Sequence, residues 1–131
     1  MSLLLPRRQA EVPTDSLAVV IPALIRSFCH AFAGIAWALR TQRNMRIHAL
    51  AALVVITAGL VDNLASWEWV AVLGCIALVW AAELLNSALE ALCDRVTTEP
   101  DEHIRRAKDA AAGAVLVCAL ISMLVAALVF L

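Results

Sequence analysis

Residues 110–131 read AAAGAVLVCALISMLVAALVFL, an apolar stretch of 22 residues without a single charged side chain. A helix needs about 20 mainly apolar residues to cross the hydrocarbon core of a bilayer. The rest of the chain is similar, since 63% of its 131 residues are hydrophobic and 16% are charged. Soluble domains have about 45–50% apolar and about 25% charged residues. The composition therefore predicts a single-domain integral membrane protein.

Two further membrane spans are predicted upstream of this stretch, over about 47–65 and about 69–92. The first is interrupted only by Asp62, close to its end. The second follows Trp67 and begins at Trp69, two side chains of a type that favours the membrane interface. Together with residues 110–131, these segments predict three transmembrane helices.

The residues before the spans form a different pattern. Between 16 and 45, apolar side chains recur at steps of three or four and predict an amphipathic helix at the membrane surface; the stripe consists of Leu17, Ile21, Leu24, Phe28, Phe32, Ile35 and Leu39. Residues 1–15 show no periodicity and are interpreted as a cytoplasmic tail. The predicted fold is an all-α membrane protein with three transmembrane helices and an N-terminal amphipathic surface helix.

Basic residues predict the orientation of the spans. They precede the first span and lie between the second and third, whereas the turn between the first two has none; they are Arg26, Arg40, Arg43, Arg46, Arg95, Arg105, Arg106 and Lys108. By the positive-inside rule, the N-terminus and residues 93–109 are cytoplasmic and the C-terminus is outside. The formal net charge of −1 gives no polyanion-binding surface, so nucleic acid is not an expected partner.

Four polar residues share one face of the second span. At about 100° per residue, Glu83, Asn86, Glu90 and Asp94 fall within about 80° of one another. A charge in hydrocarbon costs about 2.5–3.5 kcal/mol even on an insertion scale, so such residues usually serve a polar cavity or partner. We therefore treat this face as the candidate functional site.

Three interpretations of the polar face remain open from the residues themselves. It could join helices as a structural seam, but such seams usually use Ser, Thr or Asn. It could conduct ions or protons, but its residues cluster toward the cytoplasmic end, and the other spans offer only His48 as a partner. With Lys108 and Asp109 nearby, it could bind magnesium and phosphate, which predicts phosphoryl transfer at the inner membrane surface.

Two stretches of sequence resemble a known family. They read AELLNSALEALCDR over 82–95 and RAKDAAAGAVL over 106–116, and the run RNMRIH lies upstream at 43–48. This pattern is similar to the small bacterial diacylglycerol kinases and undecaprenol kinases, with a resemblance that covers about 24–131. It implies a multi-pass lipid kinase of the bacterial inner membrane, acting as a homotrimer with active sites between protomers.

The resemblance also implies a reaction and roles for single residues. The γ-phosphoryl group of Mg-ATP would move to the hydroxyl of a membrane lipid. Glu83 resembles the catalytic base, Asn86 a residue that orients the reacting groups, and Glu90 a Mg²⁺ ligand. The positions around the nucleotide correspond to Asp94, Lys108 and Asp109, and His30 stands where many members have a tyrosine near the adenosine.

Gln42 departs from the family pattern, because many members carry a second magnesium-binding glutamate at this position. An amide oxygen can still bind Mg²⁺ but adds no negative charge, so a weaker metal site is expected. The acceptor lipid stays open between diacylglycerol and undecaprenol, with residues 44–48 and the Glu68-Trp69 pair favouring undecaprenol. The rival hypothesis is a non-catalytic membrane assembly protein or an ion or proton transporter that uses the same acidic face.

Overall fold

The computed structural model describes residues 17–131, and this part of the chain consists of four α-helices joined by short connections. The helices are α1 (Leu17–Thr41), α2 (Arg43–Val61), α3 (Ser66–Val96) and α4 (Glu102–Phe130). The predicted all-α class is confirmed for these residues. The predicted tail, residues 1–15, lies outside the described part.

Each of the four helices is long and apolar enough to cross a membrane. The mean hydropathies of an 18-residue window in each are 1.7, 1.7, 1.8 and 2.8 along the chain. This set includes α1, for which the sequence analysis predicts a position on the membrane surface. Length and composition therefore admit a fourth span beside the three predicted ones.

The observed helices differ in length from the predicted spans. α2 covers 43–61 where 47–65 was predicted, because the turn at 62–65 ends it early, whereas α3 and α4 start before their predicted spans. α3 covers 66–96 where 69–92 was predicted, and α4 begins at 102 where the apolar stretch begins at 110. The prediction counted only residues suited to hydrocarbon, whereas a helix continues past the bilayer core until a cap ends it. A break also interrupts the range 16–45, because Gln42 has extended backbone angles (φ −96°, ψ 121°) between α1 and α2.

The described residues form two compact units, 17–34 and 35–131. In the first, the described side chains of α1 are exposed. In the second, α3 packs along both α4 and α2 and contributes most of the buried side chains. The apolar part of this core consists of Ala38, Met45, Ala52, Val72, Val79, Cys93 and Val115.

A tight turn over 62–65 makes α2 and α3 antiparallel neighbours. Asn63 adopts the left-handed conformation (φ 54°), and the Leu64 N–H donates to the Gly59 carbonyl at 3.1 Å, which is a Schellman ending of α2. A Cβ at Gly59 would lie 3.0 Å from Cη2 of Trp69. Glycine therefore allows the start of α3 to pack against the end of α2.

The connection from α3 to α4 is closed by side chains at both ends. Asp101 caps α4, because its Oδ1 accepts hydrogen bonds from the N–H groups of His103 and Ile104 at 2.8 and 3.0 Å. Across the connection, Lys108 Nζ donates to Asp94 Oδ1 at 2.6 Å. This ion pair joins the cytoplasmic ends predicted for the two helices.

These contacts set the register of the antiparallel helices, since every helical residue advances by about 1.5 Å. Counted from the Asp94–Lys108 pair, Ser87 of α3 lies about level with Val115 of α4. Counted from the approach of Gly59 to Trp69, Asn86 lies about level with Gln42 at the start of α2.

Candidate active site

Three polar side chains are buried together on α3. Glu83, Asn86 and Ser87 expose only 2%, 4% and 1% of their surface. They continue the face on which Val72 and Val79 are also buried, so the polar residues replace apolar core residues at this point of the helix. A buried carboxylate is costly unless it is paired or binds a ligand, and this cost marks the cluster as the candidate site.

Burial decreases along the same face toward the end of α3. Glu90 is half-buried and Asp94 is exposed. From Glu83 to Asp94 the helix advances by about 16 Å. The face is thus buried between helices at Glu83 and exposed at Asp94, beside the charged connection between α3 and α4.

The buried cluster contains oxygen atoms without hydrogen-bond partners. Within residues 17–131, Glu83 Oε2, Asn86 Oδ1 and Ser87 Oγ are inaccessible and unpaired. Buried polar atoms are nearly always paired in native proteins. Three unpaired oxygens within about one helical turn therefore indicate a place for a ligand that brings donors or a cation.

Ser87 was missed by the sequence analysis. Its signal was present, because at about 100° per residue it falls about 40° from Glu83 and about 20° beyond Asp94, next to the arc of the polar face. A serine in a membrane helix, unlike a carboxylate, is often explained by a hydrogen bond to its own backbone. The Ser87 Oγ forms no such bond in the described part of the chain.

Charged residues surround the exposed end of the face. Lys108 is paired with Asp94, and Arg105 donates to Asp109 at 2.7 Å and to Glu102 at 2.8 Å. The hydrogen bond that the Lys108 ammonium donates to Asp94 raises the pKa of this lysine, so it stays charged at neutral pH. A hollow of about 770 Å³ opens here; its lining includes Asp94, Thr97, Thr98, Glu99, Arg105 and Lys108.

The structure places the remaining predicted residues differently. Gln42 is half-buried at the start of α2, about level with Asn86 by the register of the helices. His30 is exposed and belongs to the unit 17–34, whereas all the other predicted site residues belong to 35–131. The second unit thus brings together the α3 face, Lys108 and Asp109, while His30 is described only within its own unit.

Comparison with known proteins identifies the family. The family model described as prokaryotic diacylglycerol kinase matches residues 29–130, which include α2, α3, α4 and the whole polar face. The chain belongs to the prokaryotic diacylglycerol kinase family. The resemblance noted in the sequence is thereby confirmed, and the family together with the apolar helices makes this a membrane protein of a lipid kinase family.

Individual relatives within the prokaryotic diacylglycerol kinase family carry two different names. An undecaprenol kinase of Bacillus subtilis is 42% identical over 106 residues, which is 81% of this chain and 86% of that protein. A diacylglycerol kinase of Synechocystis is 43% identical over 108 residues, 81% of this chain and 61% of that protein. The diacylglycerol kinase of Escherichia coli K12 is 27% identical over 77% of this chain and 83% of its own length.

A kinase family implies a divalent cation, and the donor set on α3 suits Mg²⁺. Within residues 17–131 no three His, Cys, Asp or Glu side chains are grouped to hold a metal by themselves. Mg²⁺, however, is usually held by one or two carboxylates plus substrate phosphates and water. The carboxylate of Glu90 and the unpaired oxygens of Glu83 and Asn86 are hard ligands of the required kind.

Proposed function

We propose that this protein transfers the γ-phosphoryl group of Mg-ATP to the hydroxyl of a membrane lipid at the cytoplasmic face of the membrane. The observation that carries the proposal is the cluster of unpaired, buried oxygens of Glu83, Asn86 and Ser87. It lies on the same helix face as Glu90 and Asp94, which lead to the charged hollow. A lipid hydroxyl can therefore meet a nucleotide phosphate along one face.

Glu83 is the proposed general base. Its buried carboxylate accepts the proton of the lipid hydroxyl while the lipid oxygen forms a bond to the γ-phosphorus. The bond between that phosphorus and the β–γ bridging oxygen breaks, and ADP leaves. Asn86, one turn further along α3, orients the reacting groups through its amide. Positioning and charge stabilisation provide most of the catalysis in phosphoryl transfer.

The nucleotide is proposed to bind at the exposed end of the face. Lys108, Asp94 and Asp109 lie at or beside the hollow between α3 and α4. The lining of this hollow contains more carboxylates than cations, so a metal-bound nucleotide suits it better than the free anion. Lys108 provides a point charge for phosphate, and His30 is proposed to lie near the adenosine.

Glu90 and Gln42 are the proposed protein ligands of Mg²⁺. When bound, the ion neutralises the charge of the phosphates during transfer. Glu90 is half-buried between the buried cluster and the hollow, and Gln42 lies about level with Asn86 across from α3. With one carboxylate and one amide, the protein holds the ion only weakly until the nucleotide adds its phosphates.

The proposed assembly is a homotrimer with active sites between protomers, in the bacterial inner membrane with a cytoplasmic N-terminus. Residues 16–131 form the kinase domain, with a surface helix followed by three spans, and residues 1–15 form a tail. Two features support this arrangement: the arginines flank only one end of the spans, and large apolar side chains are exposed along the helices of a single chain. Such side chains need lipid or a second protomer against them.

The two relatives' names leave two acceptor lipids, diacylglycerol and undecaprenol. A direct experiment decides both the activity and the acceptor. The purified protein, in nanodiscs that contain one or the other lipid, is given ATP labelled at the γ-phosphate and Mg²⁺. We expect label in the extracted lipid with wild type and almost none with Glu83→Gln. A folded wild-type protein that labels neither lipid would contradict the proposed function.

A further inference from the structure

A second feature lies beside the catalytic cluster and has no role in the reaction described above. α2, α3 and α4 line a half-open cavity of about 270 Å³, whose walls are mainly small and branched apolar side chains. His48, Trp80 and Ser122 are among the few polar residues in its wall. The Ser122 hydroxyl is already engaged, because it donates to the Cys118 carbonyl at 2.7 Å.

Trp80 lines this cavity and carries an unused hydrogen-bond donor. Its indole Nε1 is inaccessible and has no hydrogen-bond partner within residues 17–131. Tryptophan N–H groups usually find a partner when they are buried, and an unpaired donor in apolar surroundings is unfavourable. Because the indole N–H of Trp80 lacks a partner, a ligand that enters the cavity beside this residue and carries an acceptor atom can supply one.

The position of Trp80 relative to Glu83 limits which atom of a lipid it can reach. Trp80 precedes Glu83 by three residues, so it lies about 4.5 Å further from the cytoplasmic end of α3 and about 60° around the helix. His48 of α2 lines the same cavity. If the hydroxyl of a lipid contacts Glu83 and its chains point into the membrane, the atoms that follow the hydroxyl lie at the level of Trp80.

The two candidate acceptors differ at this level. In diacylglycerol, the carbon next to the hydroxymethyl group carries an ester, so a carbonyl oxygen follows the hydroxyl by a few bonds. In undecaprenol, only hydrocarbon follows the hydroxyl. A buried N–H donor can form a hydrogen bond with the ester carbonyl of diacylglycerol, whereas undecaprenol offers it no acceptor.

We propose that Trp80 is a specificity residue of this kinase: its indole N–H donates a hydrogen bond to an ester carbonyl of a glycerolipid acceptor, whose chain enters the cavity between α2, α3 and α4. This inference rests on the proposed lipid kinase activity. It makes an ester-linked glycerolipid the preferred acceptor over a polyprenol, against the preference that residues 44–48 suggest.

The test compares acceptors that differ only in the carbonyl. Wild type and Trp80→Phe are assayed with a 1,2-diacylglycerol and with the 1,2-dialkylglycerol of equal chain length, which has ether links and the same hydroxyl. With wild type we expect kcat/KM to be about three- to tenfold higher for the ester, the usual effect of one hydrogen bond, and to differ mainly in KM. In Trp80→Phe, which keeps an aromatic ring and loses the donor, the ratio should approach one.

The control variant is Trp67→Phe, at an exposed tryptophan of the same helix, which should keep the wild-type ratio. A wild-type ratio near one, or an unchanged ratio in Trp80→Phe, would overturn the role of Trp80 while leaving the kinase activity in place. The ratio of kcat/KM for two acceptors does not depend on how much of the protein is folded, so partial loss of folded Trp80→Phe does not prevent a decision. Absence of phosphorylation with every acceptor would instead overturn the proposed function itself.

Discussion

Glu83 combines a charge-bearing side chain with almost complete burial in a helix whose neighbouring core residues are valines. The sequence marked this residue through its position on a polar face, and the structure adds that Asn86 and Ser87 are buried with it. Within residues 17–131, Glu83 forms no ion pair. A side chain in this state is suited to proton transfer, because little competes with the substrate for its oxygens.

Removing the charge of Glu83 should therefore remove most of the activity. Glu83→Gln keeps the shape of the side chain and loses the base, so we expect kcat to fall by about 10²–10⁴-fold. Lipid phosphorylation in nanodiscs measures the rate, and size-exclusion chromatography shows whether the protein still assembles. Glu68→Gln is the matched control, because Glu68 lies at the opposite end of α3 and its amide can still accept from the Ala65 N–H. Near-normal turnover in Glu83→Gln would exclude Glu83 as the base.

Gln42 tests the proposed metal site by a gain of charge. If residue 42 faces the ion, Gln42→Glu adds a second carboxylate and should lower the Mg²⁺ concentration needed for half-maximal activity, measured at fixed ATP. Glu90→Gln should raise that concentration steeply or abolish turnover. The gain should be the same with either lipid, because it depends only on charge near the ion. An unchanged Mg²⁺ requirement in Gln42→Glu would show that residue 42 does not contact the metal.

At the scale of helices, the turn between α2 and α3 holds the first hairpin together. Asn63 in the left-handed conformation ends α2, and Gly59 leaves room for Leu64 and Trp69. This packing sets the register that brings the start of α2 level with the buried polar cluster of α3. The hairpin thus positions Gln42 and His48 although neither is close to Glu83 in sequence.

A larger residue at Gly59 should weaken this hairpin. A Cβ there would lie 2.9 Å from Leu64 Cδ1 and 3.0 Å from Trp69 Cη2, and overpacking typically costs about 1–3 kcal/mol. We expect Gly59→Val to lower the thermal unfolding midpoint in detergent. Gly74→Val is the matched control, since a Cβ at Gly74 meets nothing within 4 Å while both variants place valine in a helix. Equal midpoints for the two variants would contradict the close approach at Gly59.

At the scale of the whole molecule, the open question is the number of spans. An 18-residue window of α1 has the same mean hydropathy as one of α2, 1.7 in both, yet the apolar stripe of α1 favours a position on the membrane surface. A surface position and a spanning position of α1 place the N-terminus on opposite sides of the membrane. The orientation of α2, α3 and α4 is the same in both.

Topology reporters distinguish the two arrangements. By the arginine asymmetry, a reporter inserted at Pro100 should lie in the cytoplasm and one fused after Leu131 should lie outside. With three spans, a reporter at the N-terminus should also be cytoplasmic. An N-terminal reporter outside the cytoplasm would show that α1 is a fourth span, and a cytoplasmic C-terminus would contradict the proposed orientation.

The proposed trimer is tested on the intact protein. With a chain mass of 14.1 kDa, native mass spectrometry from nanodiscs should show an assembly of three chains. Association would cover apolar side chains that a single chain exposes on α3 and α4, such as Leu85 and Leu116. A monomer with full activity would contradict active sites between protomers.

The amino-acid sequence by itself determined that this is an all-helical membrane protein and that one helix carries an acidic face, because both follow from local properties: apolar length and a repeat of about 3.6 residues. It also sufficed for the family, through the motif over 82–95. Only the tertiary structure decided the break at Gln42, the burial of Ser87 and the unpaired N–H of Trp80. Those features depend on how α2 and α4 pack against α3, since burial and pairing are properties of neighbours that are distant in the chain.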